Sequence, residues 1–233
     1  MPQRVWHRRS PVVRRLRSAG LIAVLIGCLG SHRHDIVRAQ APPELVLSVV
    51  GTNDLHGRVF PVRGRGGLAL FAGFINNLRA ARAADGGAVI LLDAGDTFQG
   101  GIESNLSEGG LVVDAYNVMG YSAAAIGNHE FDFGAVDDLV ATAAGPPDPR
   151  GALKALAARA TFPFLAANLL DDATGRTVEW PNVRPSTLTD IAGVKVGIVG
   201  VMTGEALRAT LSVNVGGLRV APLAETIETE AKA

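Results

Sequence analysis

Residues 127–132 place a carboxamide, an imidazole and two carboxylates within one turn, Gly-Asn-His-Glu-Phe-Asp. The turn follows the short apolar run 123–126 and precedes a helical pattern over 135–143, which predicts that it lies where a strand of an α/β sheet ends. Ligands gather at the carboxyl ends of such strands. A polar turn can also do no more than cap the next helix. Its function therefore depends on which other residues converge on it.

Two earlier apolar runs end in comparable side chains. The run 45–50 leads to Asp54 and His56, and the run 88–92 leads to Asp96. Because residues two apart at a strand end point to the same side, Asp54 and His56 can hold one cation together. An isolated Asp-x-His pair can equally be a turn aspartate beside a histidine whose hydrogen bonds the protein itself satisfies.

Three successive strand-turn-helix units thus end in side chains that bind metals well. Those side chains are Asp54 and His56, then Asp96, then Asn128 and His129. Three such ends in a row favour a metal site over coincidence. The donors are oxygen and imidazole nitrogen without sulfur, which suits Mn, Zn, Fe or Mg rather than a thiolate-bound metal.

The segments between these motifs predict an alternating α/β fold. The patterns indicate strands over 44–51, 88–92, 123–126 and 162–168, helices over 68–82, 109–119, 135–143, 153–160 and 222–233, and a β-hairpin formed by 188–191 and 194–200. The hairpin is expected to add antiparallel strands to the sheet. Asp93 lies near the body of its strand and is expected to bond only to backbone amides. Glu130 receives no chemical role.

Composition sets limits on the class of protein. The chain has 233 residues and is 48% hydrophobic, enough for one large domain or two small ones with a buried core. Its formal charge is zero, with 22 Lys plus Arg and 22 Asp plus Glu, but residues 1–40 hold eight arginines and one aspartate. The remainder therefore has 14 basic and 21 acidic residues, a net charge of −7. An acidic body argues against nucleic-acid binding.

The N-terminal 40 residues resemble an export signal. Arginines precede the apolar run 21–26, which is too short to span a bilayer comfortably. Ordinary cleavage after Ala39 and lipidation at Cys28 are both compatible with the sequence, and a short buried helix is the structural alternative. Cys28 is the single cysteine, which excludes an intrachain disulfide. We expect export to the periplasm or cell surface of a bacterium, with membrane contact only through the signal or a lipid anchor.

The motifs together resemble those of the metallophosphoesterase (calcineurin-like) superfamily and, within it, the 5′-nucleotidases. The resemblance rests on Thr-Asn-Asp-Leu-His-Gly at 52–57, Asp-Ala-Gly-Asp-Thr-Phe-Gln-Gly at 93–100 and the turn at 127–132. It covers about residues 45–232 and implies a four-layer αββα sandwich with a two-metal site at one edge. Residues 41–233 would be the N-terminal portion of the catalytic domain.

The resemblance also implies a role for each residue of the three motifs. Asp54 and His56 would bind the first of two divalent metal ions, Asp96 would bridge both, and Asn128 would bind the second. His129 would be a catalytic imidazole that binds no metal, and Asp132 would orient it. The implied reaction is hydrolysis of nucleoside 5′-monophosphates by a water that the two metals activate.

One part of the family pattern is missing. Such enzymes supply three further histidines, in a His-x-Gly turn and a Gly-His-x-His turn, whereas the histidines here are His7, His32, His34, His56 and His129. We therefore expect an N-terminal fragment, truncated before the last strands and inactive by itself. The alternatives are a 2′,3′-cyclic phosphodiesterase or UDP-sugar hydrolase of the same family, or a non-catalytic exported binding module. The motifs leave metal identity and oligomeric state open.

Overall fold

The computed structural model describes residues 44–136 and 147–233. In these ranges the strands are β1 (Leu47–Thr52), β2 (Ala88–Asp93), β3 (Ala123–Ala125), β4 (Phe164–Leu165), β5 (Leu169–Asp171), β6 (Val183–Arg184), β7 (Ser186–Ile191), β8 (Val194–Val199) and β9 (Leu218–Val220). The helices are α1 (Leu68–Ala84), α2 (Ile102–Asn105), α3 (Gly110–Met119), α4 (Gly151–Arg159), α5 (Ser212–Val215) and α6 (Leu223–Glu230). Two 3-10 helices cover His129–Phe131 and Ala206–Arg208.

A five-stranded parallel sheet carries the three sequence motifs. Its strand order is β1-β2-β3-β4-β6, and β1 pairs with β2 in register from Leu47 opposite Ala88 to Thr52 opposite Asp93. Because the first four strands lie side by side in chain order, right-handed crossovers place α1, α3 and α4 on one face of the sheet. All these strands end at the same edge, and the motifs follow there.

The hydrophobic core lies between that face and the helices. It joins Leu91, Ala124 and Phe164 of the sheet to Ile75 of α1, Val112 and Tyr116 of α3, and Leu153 of α4, all buried. Burial of a valine, leucine, isoleucine or phenylalanine side chain stabilises a fold by about 1.5–3 kcal/mol. Phe98, in the loop after β2, packs edge-on against Phe164 with ring centroids 5.9 Å apart. The core thus anchors the loop that carries Asp96.

Most predicted elements are confirmed. The α/β class, the first three strands, the hairpin and the helices now labelled α1, α3, α4 and α6 agree with the sequence patterns. The helix predicted over 135–143 lies outside the described residues from position 137 onward. No helix in the described part of the chain is long and apolar enough to cross a membrane. The predicted export segment 1–40 also lies outside the described residues.

Two predictions about strands were wrong. The run 162–168 is not one strand, because it divides into β4 and the beginning of a turn before β5. The fully buried Asn168 explains the break: its amide donates to the carbonyl groups of Met202 and Ala221 and accepts from the Met202 N–H, which draws the chain out of the sheet. The hairpin of β7 and β8 does not join the parallel sheet but forms a separate two-stranded antiparallel sheet.

Candidate active site

The three motifs meet at the carboxyl edge of the parallel sheet. Hydrogen bonds link the loop after β1 to the loop after β2, since Asp54 N–H donates to Gly95 O at 3.0 Å and His56 N–H donates to Asp96 O at 3.1 Å. The turn after β3 adjoins the second loop, because the His129 N–H donates to Oδ1 of Asp96 at 3.0 Å. The convergence that the strand pattern predicted is therefore present in the structure.

Asp54 and His56 form the first pair of predicted ligands. Nε2 of His56 lies 3.7 Å from Oδ1 of Asp54. Two donors bound to one ion at ~2.0–2.2 Å lie roughly this far apart. The other ring nitrogen, Nδ1, lies 3.3 Å from the carbonyl oxygen of Gln99. A proton on Nδ1 would satisfy this carbonyl and leave the lone pair of Nε2 free for a metal.

Backbone strain marks the same loops. Asp54, His56 and Asp96 have φ angles of 51°, 49° and 60°, which is the left-handed region that side chains with a Cβ rarely occupy. Such conformations cost on the order of 1–3 kcal/mol each and persist where the surrounding structure enforces them, often at functional sites. Three of the four predicted metal ligands therefore share a conformation that the fold must hold in place.

His129 and Asp132 form a second pair beside the first. Nδ1 of His129 and Oδ2 of Asp132 are 2.5 Å apart, and both side chains are mostly buried. The ring of His129 also meets the ring of His56 edge-on, with centroids 4.6 Å apart. Oδ1 of Asp132 accepts a hydrogen bond of 2.8 Å from Oγ1 of Thr210, a residue 78 positions further along the chain. Asp132 is thus held from both sides.

The chemical types of the donor atoms suit divalent metal ions. It consists of carboxylate and amide oxygens with imidazole nitrogen, and it converges at one sheet edge. Within residues 44–136 and 147–233, however, no group of three or more His, Cys, Asp or Glu side chains is arranged to hold an ion. The donors instead come as the pair Asp54 and His56, with Asp96 in the adjoining loop. In the described part of the chain, no hydrogen bond joins the side chain of Asn128 to these groups.

Glu130 is a buried residue whose place in the site the sequence did not indicate. It is 1% exposed, and its carboxylate accepts four hydrogen bonds from groups of Asp96, Thr97 and Gly127. Burial raises the pKa of Glu130, and these hydrogen bonds oppose that rise. Its position between Asn128 and Asp132 could have drawn attention to it, but sequence alone cannot reveal which amides it meets.

Asp93 belongs to a buried polar network behind the site. The expectation that it bonds only to backbone amides was wrong, because it accepts from the Thr52 hydroxyl at 2.6 Å and the Tyr116 hydroxyl at 2.8 Å as well as from Gly95 N–H. Tyr121 stacks on Tyr116 with ring centroids 3.7 Å apart. Burial raises the pKa of Asp93 to about 6, although these hydrogen bonds lower it. Burial, followed by the charge of Asp93, raises the pKa of Tyr116.

Comparison with known structures defines the fold. No protein-family model matches the chain. The calcineurin-like phosphoesterase YfkN from Bacillus subtilis superposes on 80% of this chain and 59% of its own, with a TM-score of 0.59 and 18% identity. At this identity the likeness concerns the fold alone. The chain has the metallophosphoesterase fold that its motifs predicted.

The chain is also similar in sequence to proteins of known type. A 5′-nucleotidase from Vibrio cholerae is 31% identical over 212 residues, which cover 91% of this chain and 34% of the relative. The crystal structure of a 5′-nucleotidase precursor from Thermus thermophilus superposes on 80% of this chain and 34% of its own, with a TM-score of 0.63 and 26% identity. The chain matches the N-terminal part of the catalytic domain of these 5′-nucleotidases. It spans about a third of the length of these relatives.

Proposed function

We propose that the protein hydrolyses the phosphate monoester of nucleoside 5′-monophosphates and that this activity depends on two divalent metal ions. The observation that carries the proposal is the meeting of the loops after β1, β2 and β3, which brings Asp54 with His56, Asp96, and His129 with Asp132 to one edge of the sheet. The names of the relatives support the substrate class.

Four residues are the proposed metal ligands. Asp54 and His56 would hold the first ion, Asp96 would bind both ions, and Asn128 would bind the second. Bound divalent ions supply Lewis-acid stabilisation of phosphoryl oxygens and make water a stronger nucleophile at neutral pH. The bond between Nδ1 of His56 and the Gln99 carbonyl fixes the ring so that Nε2 faces Asp54. The chain would thus orient this proposed imidazole ligand before an ion binds.

The pair of His129 and Asp132 would act on the phosphoryl group directly. Because Nδ1 of His129 meets the Asp132 carboxylate, Nδ1 carries a proton and Nε2 is the nitrogen that can face substrate. The carboxylate stabilises positive charge on the ring. A protonated Nε2 would donate a hydrogen bond to a phosphoryl oxygen or a proton to the departing alkoxide.

Phosphate release from AMP tests this proposal. The assay uses the protein as its native host produces it. Removal of metals with EDTA should abolish turnover, and added Mn²⁺ should restore it. His129→Ala should lower kcat by about 10²-fold or more, the usual contribution of a general acid or base. Asp96→Asn should remove most of the activity as well.

Asp190→Asn is a matched control for Asp96→Asn. Asp190 is half exposed and pairs with Lys195 on the hairpin of β7 and β8, outside the proposed site. This variant should hydrolyse AMP at the wild-type rate. Normal turnover by either site variant would refute the assigned roles. Faster turnover of 2′,3′-cyclic AMP or UDP-glucose than of AMP would show that the protein is a cyclic phosphodiesterase or a UDP-sugar hydrolase instead. Mn²⁺ binding without hydrolysis of any of these esters would indicate a binding module.

We also propose that residues 1–40 direct export. The support is the basic lead, the apolar run 21–26 and the small residues before Gln40. Mass spectrometry of the mature protein from its native host tests this. An N-terminus at Gln40 indicates ordinary cleavage, and a diacylglyceryl group on Cys28 indicates a lipid anchor. An intact Met1 in a cytosolic fraction would contradict the proposal.

A further inference from the structure

Glu130 lies between residues with proposed roles but has none itself. It is the middle residue of the 3-10 helix His129–Phe131, and only 1% of it is exposed. Charged residues are almost never buried to this extent unless their charge is satisfied. Here four hydrogen bonds satisfy it, and each partner belongs to a loop that carries a proposed metal ligand.

The carboxylate of Glu130 joins the loop after β2 to the turn after β3. Oε2 accepts from Asp96 N–H at 3.0 Å and from Gly127 N–H at 2.6 Å. Oε1 accepts from the N–H and the hydroxyl of Thr97, both at 2.7 Å. In the opposite direction, Oδ1 of Asp96 accepts from His129 N–H at 3.0 Å. The two loops therefore bind each other through reciprocal carboxylate-to-amide bonds.

These bonds also hold Asp96 in its unusual conformation. Its φ angle of 60° is left-handed, which a residue with a Cβ adopts only when its surroundings enforce it. The N–H groups of Asp96 and Thr97 both point at the Glu130 carboxylate. Successive backbone N–H groups that converge on an anion in this way form a stable concave arrangement. Glu130 supplies the anion from within the protein.

We propose that Glu130 is a positioning residue that fixes the loop carrying Asp96 and the turn carrying Asn128 relative to one another, so that both side chains can bind metal. The inference rests on the metal binding proposed above. Glu130 binds no metal itself, because its two oxygens are occupied by four donors. Its effect is to remove the conformational freedom that the two loops would otherwise lose when an ion binds.

The chemistry of the four partners requires a carboxylate at position 130. Every partner is a hydrogen-bond donor, and a carboxylate accepts at both oxygens. Glutamine has nearly the same shape, but its NH₂ group cannot accept. With its NH₂ group toward Asp96 and Gly127, the amide would face two N–H donors. With its NH₂ group toward Thr97, it would face the Thr97 N–H, while the Thr97 hydroxyl could rotate to accept. Glu130→Gln therefore separates a role in hydrogen bonding from a role in filling space.

Mn²⁺ binding tests the inference. Metal-stripped wild-type protein and the E130Q variant would be titrated with Mn²⁺, with the free ion measured by electron paramagnetic resonance and the fold checked by circular dichroism. We expect E130Q to bind Mn²⁺ about 10- to 100-fold more weakly, the range found when groups that orient metal ligands are replaced. Thr97→Val removes one of the four donors and should weaken binding by a smaller factor. This variant also keeps the test decisive if E130Q does not fold.

Asn168→Asp is the matched control. Asn168 is fully buried, and its NH₂ group donates to the carbonyl groups of Met202 and Ala221. The substitution is isosteric and puts an acceptor where two carbonyl groups need a donor, so it creates a buried hydrogen-bond mismatch, opposite in sense to that of E130Q, without touching either ligand loop. It should lower stability but leave Mn²⁺ affinity unchanged.

The outcomes separate this inference from the proposed function. Wild-type affinity in both E130Q and T97V, or equal weakening in N168D, would overturn the inference. Absence of an Mn²⁺ site in the wild-type protein would do the same. Weakened Mn²⁺ binding in E130Q together with no hydrolysis of AMP by the wild type would support the inference and reject the proposed activity.

Discussion

Nδ1 of His129 lies 2.5 Å from Oδ2 of Asp132, and the other oxygen of Asp132 accepts a hydrogen bond from Thr210. The three residues form a chain from the loop before α5 to the turn after β3. An imidazole held in this way has one defined ring orientation and one defined site for its proton. The roles of His129, Asp132 and Thr210 can therefore be tested with separate substitutions.

Asp132→Asn should lower kcat for AMP by about 10- to 100-fold with little change in KM. The amide can still meet Nδ1 of His129, but it cannot stabilise positive charge on the ring. Replacement of the groups that orient metal-ligating histidines typically costs 10- to 100-fold, and we expect a similar loss for a histidine that contacts substrate. Steady-state kinetics with Mn²⁺ at saturation would measure the effect. A variant with kcat within a factor of two of wild type would show that Asp132 does not assist His129.

Thr210→Val should reduce kcat by about 2- to 10-fold. The substitution keeps the shape of the side chain but removes the hydroxyl that donates to Asp132 at 2.8 Å. Such a bond contributes about 0.5–1.5 kcal/mol, which corresponds to this range of rates. Thr210→Ser keeps the hydroxyl and should retain nearly full activity. Equal rates for the valine and serine variants would argue against a role for this bond.

Gly127→Ala should weaken metal binding and lower activity. A Cβ at position 127 would lie 2.3 Å from Oδ1 of Asp96 and 2.8 Å from its backbone nitrogen, so the loop carrying Asp96 would have to move. Mn²⁺ titration of the metal-free variant measures the effect. Gly73→Ala in α1 is the control, because a Cβ there meets no atom within 4 Å. Unchanged Mn²⁺ affinity in G127A would show that the two loops tolerate displacement.

Asp93 should make the metal-free protein less stable as pH rises from about 4 to about 6. Its pKa is raised to about 6 in the folded state, so within this window the folded protein binds a proton that the unfolded chain has lost. The stabilisation is complete below about pH 4 and is lost as pH rises through about 6. Over this window the free energy of unfolding should fall by about 3 kcal/mol, since one pKa unit corresponds to ~1.36 kcal/mol.

Asp93→Asn provides the comparison for this pH effect. An asparagine amide stays neutral, and the hydroxyl groups of Thr52 and Tyr116 can rotate to accept its N–H groups. The free energy of unfolding in urea, measured for both proteins across the same pH range, should diverge in favour of the variant as pH rises. A constant difference between the two curves would mean that Asp93 titrates alike in the folded and unfolded states.

Local patterns in the sequence predicted most of the secondary structure. The apolar run 88–92 predicted the strand β2, and the spacing of Leu68, Phe71 and Ile75 predicted the helix α1. The same patterns failed at Asn168 and at the hairpin of β7 and β8. In both places the outcome depends on partners distant in sequence, Met202 and Ala221 in the first case and the choice of neighbouring strand in the second.

The sequence by itself determined the chemical identity of the candidate site. Strand ends followed by Asp54, His56, Asp96 and Asn128 can be recognised because apolar runs and polar turns are local features, and parallel strands must end at one edge. Only the tertiary structure decided how those groups are held. Glu130 meets amides more than 30 positions earlier in the chain, and Thr210 meets Asp132 across 78 positions. Such contacts have no periodic signature, because the packing of the whole domain sets which distant loops meet.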